Sequence, residues 1–311
     1  MERLDGSSAV PSRLAGGIVA LGNFDGFHLG HQAVVGRAVA RAKAEGRPAL
    51  VATFDPHPVR LFRPETPPFR LTTLDQRERL FAAAGADAMV VFGFDAALAA
   101  LTAEAFVDER LVGALRVGGV VTGEDFTFGK GKAGNAAMLA ARGEALGFAA
   151  ETVGAVSLDG EPVSSSRIRD ALRRGDLATA TTLLTRPFAI RGTVQHGDKV
   201  GRTIGYPTAN IDLGSYLRPA YGIYAVTGRL DDGTVLQGAA NLGIRPSFNP
   251  PKELLEPYFF DFSGDLYGRD IEVALIEYLR PEAKFESLDD LIRQMDIDCA
   301  KAKAVLSARN A

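Results

Sequence analysis

The sequence predicts a two-domain α/β chain. Residues 1–185 form a domain built on a doubly wound parallel sheet, and residues 186–311 a small antiparallel β-barrel with a C-terminal helix. Three observations predict this. The length of 311 residues suits two domains of ordinary size. From Gly17 to Val153 short apolar runs alternate with stretches of helical spacing. Beyond Arg186-Pro187 strand-like runs follow one another without helices between them.

In the first part, Ile18–Leu21 and residues 50–54, 89–92 and 117–121 read as strands buried on both faces, because their apolar residues run on without alternation. Val34, Val35, Ala38, Val39 and Ala42 recur at helical spacing between the first two, and Gly46 suits the left-handed cap that ends such a helix. Strand, helix, strand requires a crossover and so a parallel sheet. Pro64, Pro67 and Pro68 mark a stiff loop. In the second part, residues 188–194, 223–230, 235–241, 255–262 and 271–279 read as strands, and Asp231-Asp232-Gly233 supplies the backbone freedom for a tight hairpin. Closing into a barrel removes the sheet edges. Residues 287–306 place Leu288, Leu291, Ile292, Met295 and Cys299 on one helix face, and Ser287 is suited to cap that helix.

Composition narrows the function. Hydrophobic residues make up 46% and charged residues 23%, which excludes a disordered or fibrous chain. Thirty-five Lys+Arg against 38 Asp+Glu leave a net charge of −3, so nucleic acid is not an expected partner. Cys299 is the single cysteine, which excludes an intrachain disulfide and a thiolate metal cluster and points to a reducing compartment. No stretch approaches the roughly 18 apolar residues of a membrane span, and Met1–Asp5 has no apolar signal core. The expectation is a cytoplasmic protein, monomeric or transiently oligomeric, acting on small molecules and not on membranes.

The run Gly22-Asn23-Phe24-Asp25-Gly26-Phe27-His28-Leu29-Gly30-His31 leaves the first strand and enters the first helix. Its backbone N–H groups and the helix dipole suit an anion such as a nucleotide phosphate. His28 and His31, three apart, lie on one side of the helix start, where imidazoles can donate to phosphate oxygens, and Gly30 leaves room for close approach. Two other readings stay open: an ordinary turn with incidental histidines, and a metal site of His28, His31, Asp55 and His57. Farther on, Ser164-Ser165-Ser166-Arg167-Ile168-Arg169 places hydroxyls and two arginines at a helix start, where they can grip a triphosphate or simply cap the helix. Gly129-Lys130-Gly131-Lys132-Ala133-Gly134 spells a dinucleotide fingerprint, but it does not follow a strand directly, as that motif requires.

His28-x-Gly30-His31 after a first strand resembles the phosphate motif of nucleotidyltransferases. Residues 22–26, 53–58, 123–129 and 164–169, in that order, resemble the successive motifs of bacterial FAD synthetases. The resemblance implies that His28 and His31 are catalytic. It places ATP on Gly22, Asn23, Phe24, Asp25, Gly30, Ser164, Ser165, Ser166 and Arg167. Asp55, His57, Asp125, Phe126, Phe128 and Asn135 are candidates for contact with flavin.

In the second domain, Gly201-Arg202-Thr203-Ile204-Gly205-Tyr206-Pro207-Thr208-Ala209-Asn210 sets glycines, a base and two oxygen-bearing side chains in one segment. Glycines permit close approach to phosphate, and the Thr208 hydroxyl and Asn210 carbonyl are hard ligands suited to Mg²⁺, while an ordinary loop ending in an Asx turn is the plainer alternative. The segment is similar to the hallmark of riboflavin kinases, as are residues 222–226, 240–248 and the stretch from Leu255-Glu256 to Gly268. The whole chain thus resembles bacterial bifunctional riboflavin kinase/FAD synthetases. That implies ATP on Gly201, Arg202, Gly205 and Pro207, Mg²⁺ on Thr208 and Asn210, Glu256 as catalytic base, and riboflavin, FMN and FAD as substrates and products. Val200, Pro257-Tyr258 and Ser247 depart from the usual family residues, and none removes a proposed catalytic group.

Overall fold

A computed structural model describes residues 1–196, 205–245 and 252–310. The chain divides into two units, residues 1–67 with 72–164, and residues 68–71 with 165–311.

The first unit runs through β1 (Glu2–Asp5), β2 (Ile18–Leu21), α1 (Leu29–Glu45), β3 (Ala49–Asp55), α2 (Pro58–Phe62), α3 (Leu74–Ala83), β4 (Ala88–Gly93), α4 (Ala96–Ala100) and α5 (Ala103–Ala105), which leads into a π-helical stretch, Phe106–Ala114. Next come β5 (Gly119–Gly123), α6 (Ala136–Leu146), β6 (Ala149–Val153) and a short hairpin of β7 (Ser157–Leu158) and β8 (Glu161–Pro162). Its main sheet has six strands in the order β1-β4-β3-β2-β5-β6, every pair parallel. Both faces are covered, which explains the unbroken apolar runs. Val19 and Leu21 of β2 enter the core that holds Phe92, Phe106 and Leu111. Ile18 and Ala20 enter the opposite core beneath Val34, Val35 and Ala38 of α1. Gly46 ends α1 in the left-handed conformation (φ 63°), as its position in the sequence predicts.

The order reverses at β2. From it β3 and β4 step one way and β5 and β6 the other, so a crevice opens outside the C-terminal ends of β2 and β5. That crevice positions the first candidate site.

The second unit begins with α7 (Ser165–Arg173) and α8 (Leu177–Leu184), followed by β9 (Ala189–Thr193), β10 (Ile211–Asp212), β11 (Gly222–Leu230), β12 (Val235–Arg245), β13 (Lys252–Phe259), β14 (Asp270–Arg280) and α9 (Leu288–Asn310). Its six strands run β10-β13-β12-β11-β14-β9, all antiparallel. The edges approach one another: Gln195 N–H donates to the Asn210 carbonyl at 2.8 Å, so the sheet is a nearly closed barrel. The Asp231-Asp232-Gly233 hairpin forms with Gly233 at φ 86° and Asp232 accepting from the Thr234 N–H at 2.9 Å. The strand expected over 255–262 starts and ends earlier, at Lys252–Phe259.

The C-terminal helix buries the expected face, which continues from Met295 and Cys299 to Ala302 and Leu306 and leaves out only its first residue, Leu288. Ala302 and Leu306 pack on Ala225 and Ala239, and Asp298 is buried with them. Leu288 stays 54% exposed. Beside that face the Arg280 guanidinium forks onto Asp298 at 2.7–3.0 Å and ties α9 to the barrel. The Ser287 hydroxyl caps the helix, accepting from the Asp290 N–H at 3.1 Å.

Candidate functional site

In the first unit the chain turns sharply as it leaves β2. Phe24 (φ 50°) and Phe27 (φ 45°) adopt left-handed backbone that costs a non-glycine residue of the order of 1 kcal/mol or more. Burial offsets this. Both rings are almost fully enclosed, and each meets Phe81 edge to face, at 5.9 and 5.1 Å. Asp25 locks the turn, because its Oδ1 accepts from the Thr72 N–H (3.0 Å) and hydroxyl (3.3 Å), while the Gly26 N–H donates to Thr72 Oγ1 at 2.9 Å.

This turn delivers His28 as the N-cap of α1, its Nδ1 accepting from the His31 N–H at 3.4 Å. The two imidazoles stack with centroids 3.6 Å apart, and Phe24 meets the His31 ring edge-on at 5.4 Å. Gly30 leaves the His28 ring its place, since a Cβ there would lie 3.3 Å from two atoms of that ring. Gly22 likewise makes room for the Phe24 ring, 3.0 Å from where its Cβ would be.

One buried side chain ties the crevice together. Arg77, from α3, donates to the Asn23 carbonyl (3.1 Å) and the Thr53 hydroxyl (2.9 Å), and its other terminal nitrogen lies 3.5 Å from Asp55 at the end of β3. Nothing in the sequence singles out Arg77, since one arginine after a Thr73–Gln76 capping box looks like an exposed helix residue. The grouping of His28, His31, Asp55 and His57 as metal ligands does not form. His57 Nδ1 caps α2, accepting from the Val59 N–H at 3.2 Å, and among the described residues no group of three or more His, Cys, Asp or Glu is placed to hold a metal ion.

The proposed flavin contacts divide. Asp125 is exposed just past β5, and Phe126 is half-buried. Phe128 stacks on Phe126 (5.9 Å) but is itself a core residue, 6% exposed and packed on Phe106. Asn135 spends its carbonyl oxygen capping α6, accepting from the Met138 N–H at 3.0 Å. Of the hydroxyl–arginine segment, Ser164 falls in the first unit, while Ser165, Ser166 and Arg167 open α7 in the second. Its second arginine, Arg169, turns away from that helix start: Nε donates to the Phe69 carbonyl at 2.9 Å and the guanidinium lies over the Phe69 ring.

In the second unit a transverse row of residues crosses three strands. Asn241 of β12 pairs with Glu256 of β13, and Ile211 of β10 pairs with Leu255. The Ala209 N–H donates to the Pro257 carbonyl at 2.9 Å, which extends that register and sets Asn210 opposite Glu256 and Thr208 opposite Tyr258. Because side chains alternate, Thr208, Asn210, Glu256 and Asn241 share one face of the sheet. The Glu256 carboxylate is 13% exposed and ion-pairs with Arg245. Tyr206 anchors the approach to the row, hydrogen-bonding Asp296 of α9 and meeting Tyr258 edge-on at 5.1 Å. Burial, with Asp296 adding to it, holds the Tyr206 phenol well above its usual range and keeps it protonated. Gly205 (φ 87°) and Pro207 precede the row, whereas Gly201 and Arg202 lie outside the described residues. Asn241 and Arg245 belong to a stretch singled out by resemblance, but nothing in the sequence assigned either a role.

The fold and these two groupings define a chain with two separate units for phosphate chemistry. The family model for FAD synthetase matches residues 10–167, and that for riboflavin kinase residues 184–306. A bifunctional riboflavin kinase/FMN adenylyltransferase of Haemophilus influenzae is 40% identical over 295 residues, covering 95% of this chain and 96% of that one. The enzyme of the same description from Escherichia coli K12 is 40% identical over 283 residues, covering 91% and 90%. A Streptococcus pneumoniae crystal structure described as a macrolide-efflux protein superposes with a TM-score of 0.85 at 30% identity, covering 96% and 97%. Among the described residues, no helix of the present chain is long and apolar enough to cross a membrane. The chain belongs to the bifunctional riboflavin kinase/FMN adenylyltransferase family.

Proposed function

We propose that the chain makes FAD from riboflavin in two steps, each an in-line displacement at phosphorus, with the division of labour falling at residues 185/186. In residues 186–311 the terminal hydroxyl of riboflavin attacks the γ-phosphorus of ATP; the bond from that phosphorus to the β–γ bridging oxygen breaks, and FMN and ADP result. Glu256 takes the hydroxyl proton. In residues 1–185 an FMN phosphate oxygen attacks the α-phosphorus of a second ATP, and pyrophosphate leaves as FAD forms. Positioning and charge stabilisation carry both steps, with no covalent enzyme intermediate.

His28 and His31, at the start of α1, steady the phosphate undergoing substitution, and Gly22, Asn23, Phe24, Asp25 and Gly30 build the loop that presents them. Ser164, Ser165, Ser166 and Arg167 take the pyrophosphate end. Flavin contact falls to Asp55, His57, Asp125 and Phe126. Phe128 supports Phe126 from the core and Asn135 orders α6, so both act on flavin at one remove. In the kinase half, Gly201, Arg202, Gly205 and Pro207 take ATP.

The donor set beside Glu256 fits Mg²⁺. The Thr208 hydroxyl and Asn210 carbonyl are neutral oxygen ligands on one face, and a magnesium ion that keeps its waters and substrate phosphates needs few protein ligands. Thr208 and Asn210 would hold it, and it would supply neutralisation of the triphosphate charge. The cytoplasm is the compartment proposed, on the strength of the single cysteine.

The observation that carries this reading is the row in which Glu256 stands between Asn210 and Asn241, an acid beside oxygen ligands on one sheet face. Incubating the protein with riboflavin, ATP and Mg²⁺ and separating the flavins over time tests it. FMN should appear first and FAD follow, and riboflavin left unchanged refutes it.

A further inference from the structure

We propose that Asn241 is a substrate-contacting residue of the kinase half, its side-chain oxygen accepting a hydrogen bond from a hydroxyl of the polyol chain of riboflavin. The inference rests on the reading of Glu256 as base and extends it to a second atom of the same substrate.

The Asn241 carboxamide lies between two carboxylates. Its Nδ2 donates to Glu256 Oε2 at 3.5 Å and to Glu282 Oε1 at 3.3 Å. Two acidic acceptors on one side fix which way the amide points, since the opposite orientation would set its oxygen against both. Glu282 reaches this place because Gly243, two residues along β12, has no side chain; a Cβ there would collide with the Glu282 carboxylate. The orientation leaves Oδ1 buried, and among the described residues no donor reaches it. A buried acceptor without a donor is unfavourable unless something supplies one.

The chemistry of the substrate supplies it. The hydroxyl to be phosphorylated ends a chain in which the next carbon bears another hydroxyl. A polyol held with its end group on Glu256 therefore presents a second O–H donor one carbon away. Asn241 is the cross-strand neighbour of Glu256 on the same face, so base and acceptor stand side by side as that pair of donors does. The amide also engages one oxygen of Glu256, Oε2, which steadies the carboxylate while its other oxygen takes the proton.

Asn241→Leu removes the acceptor at similar size, and Asn241→Ala does so without crowding the strand. In both variants of the full-length enzyme the KM for riboflavin in FMN formation should rise about tenfold, as expected for one hydrogen bond to a buried acceptor. The KM for ATP and the adenylylation of supplied FMN should not move. Lumiflavin, which carries the ring system without the polyol, is the deciding probe. Its Ki as a competitive inhibitor of FMN formation should be the same in wild type and variants. An unchanged riboflavin KM, or a lumiflavin Ki that rises in parallel with it, overturns the proposal. Glu256→Gln, assayed alongside, keeps the two readings apart. Loss of turnover with riboflavin KM little changed sustains the base, whereas full turnover removes the base and the proposal with it.

Discussion

The His31 imidazole lies on that of His28, with ring centroids 3.6 Å apart and planes 20° from parallel, while the His31 backbone N–H donates to His28 Nδ1. His28 therefore has two jobs on two atoms. Nδ1 caps α1, and the neutral ring carries its proton on Nε2, where it can serve an anion. Asparagine reproduces the first nitrogen position and glutamine the second. His28→Asn should keep the stability of the fold and lose FAD formation. His28→Gln should retain part of that activity at a cost of about 1 kcal/mol from the lost cap. Thermal melting and flavin chromatography on the two variants check this together.

The two halves should fail independently. His31→Ala should stop FAD formation and let FMN accumulate, and Glu256→Ala should stop FMN formation while supplied FMN is still adenylylated. One variant that abolished both steps in a folded protein would contradict the division.

Arg77 should matter to one half only. Arg77→Met leaves the Asn23 carbonyl, the Thr53 hydroxyl and Asp55 without their shared donor. Removing one side of such a buried network costs about 3 kcal/mol. Urea unfolding should show that loss, FAD formation should fall, and FMN formation from riboflavin should continue. Arg77→Lys, with its charge but without the fork, should lie between.

Burial pushes the Cys299 thiol up to about 11, with Asp298 and Asp296 adding to it. Less thiolate is present at pH 8 than in the unfolded chain, so iodoacetamide should label the native protein about a hundredfold more slowly, and the labelling rate should keep rising with pH until it levels off above about 11. The linked stability has a definite sign. The folded state keeps its proton while the unfolded thiol ionises near 9, so the contribution is intact below pH 9 and lost as pH rises through about 11. Urea midpoints of wild type and Cys299→Ala across pH 8–11 should diverge in that direction.

Chelation should act through Thr208 and Asn210. EDTA should halt FMN formation and added Mg²⁺ restore it, and Thr208→Ala should raise the Mg²⁺ concentration needed for half-maximal rate several-fold. An unchanged requirement would remove Thr208 from the ligand set.

The parallel sheet was legible because strands buried on both faces cannot alternate, as residues 18–21 and 50–54 show. Its edges were not. Glu2–Asp5 is polar enough to pass for a tail, yet it pairs with β4, because an edge strand needs little apolar surface. The face of α9 was legible in its spacing, but not where along the helix its burial begins. Leu288, the large residue at its start, stays exposed, while the same face continues through Cys299 to Ala302 and Leu306 on Ala225 and Ala239, and Asp298 is buried beside it against Arg280. His28, His31 and Glu256 were singled out through ordered motifs. Arg77 and Asn241 were not, since what distinguishes each is its partners from distant segments, and those exist only once the chain has folded.

The row through Asn210, Glu256 and Asn241 depends on the parity of the pleat. A codon gained or lost between Lys252 and Glu256 would slip β13 by one place, carrying the carboxylate into the barrel interior and Leu255 or Pro257 out to the face that carries Asn210 and Asn241. Point changes there should grade the rate. Length changes should extinguish it, so the spacing within this strand is under stricter constraint than the identity of most residues in it.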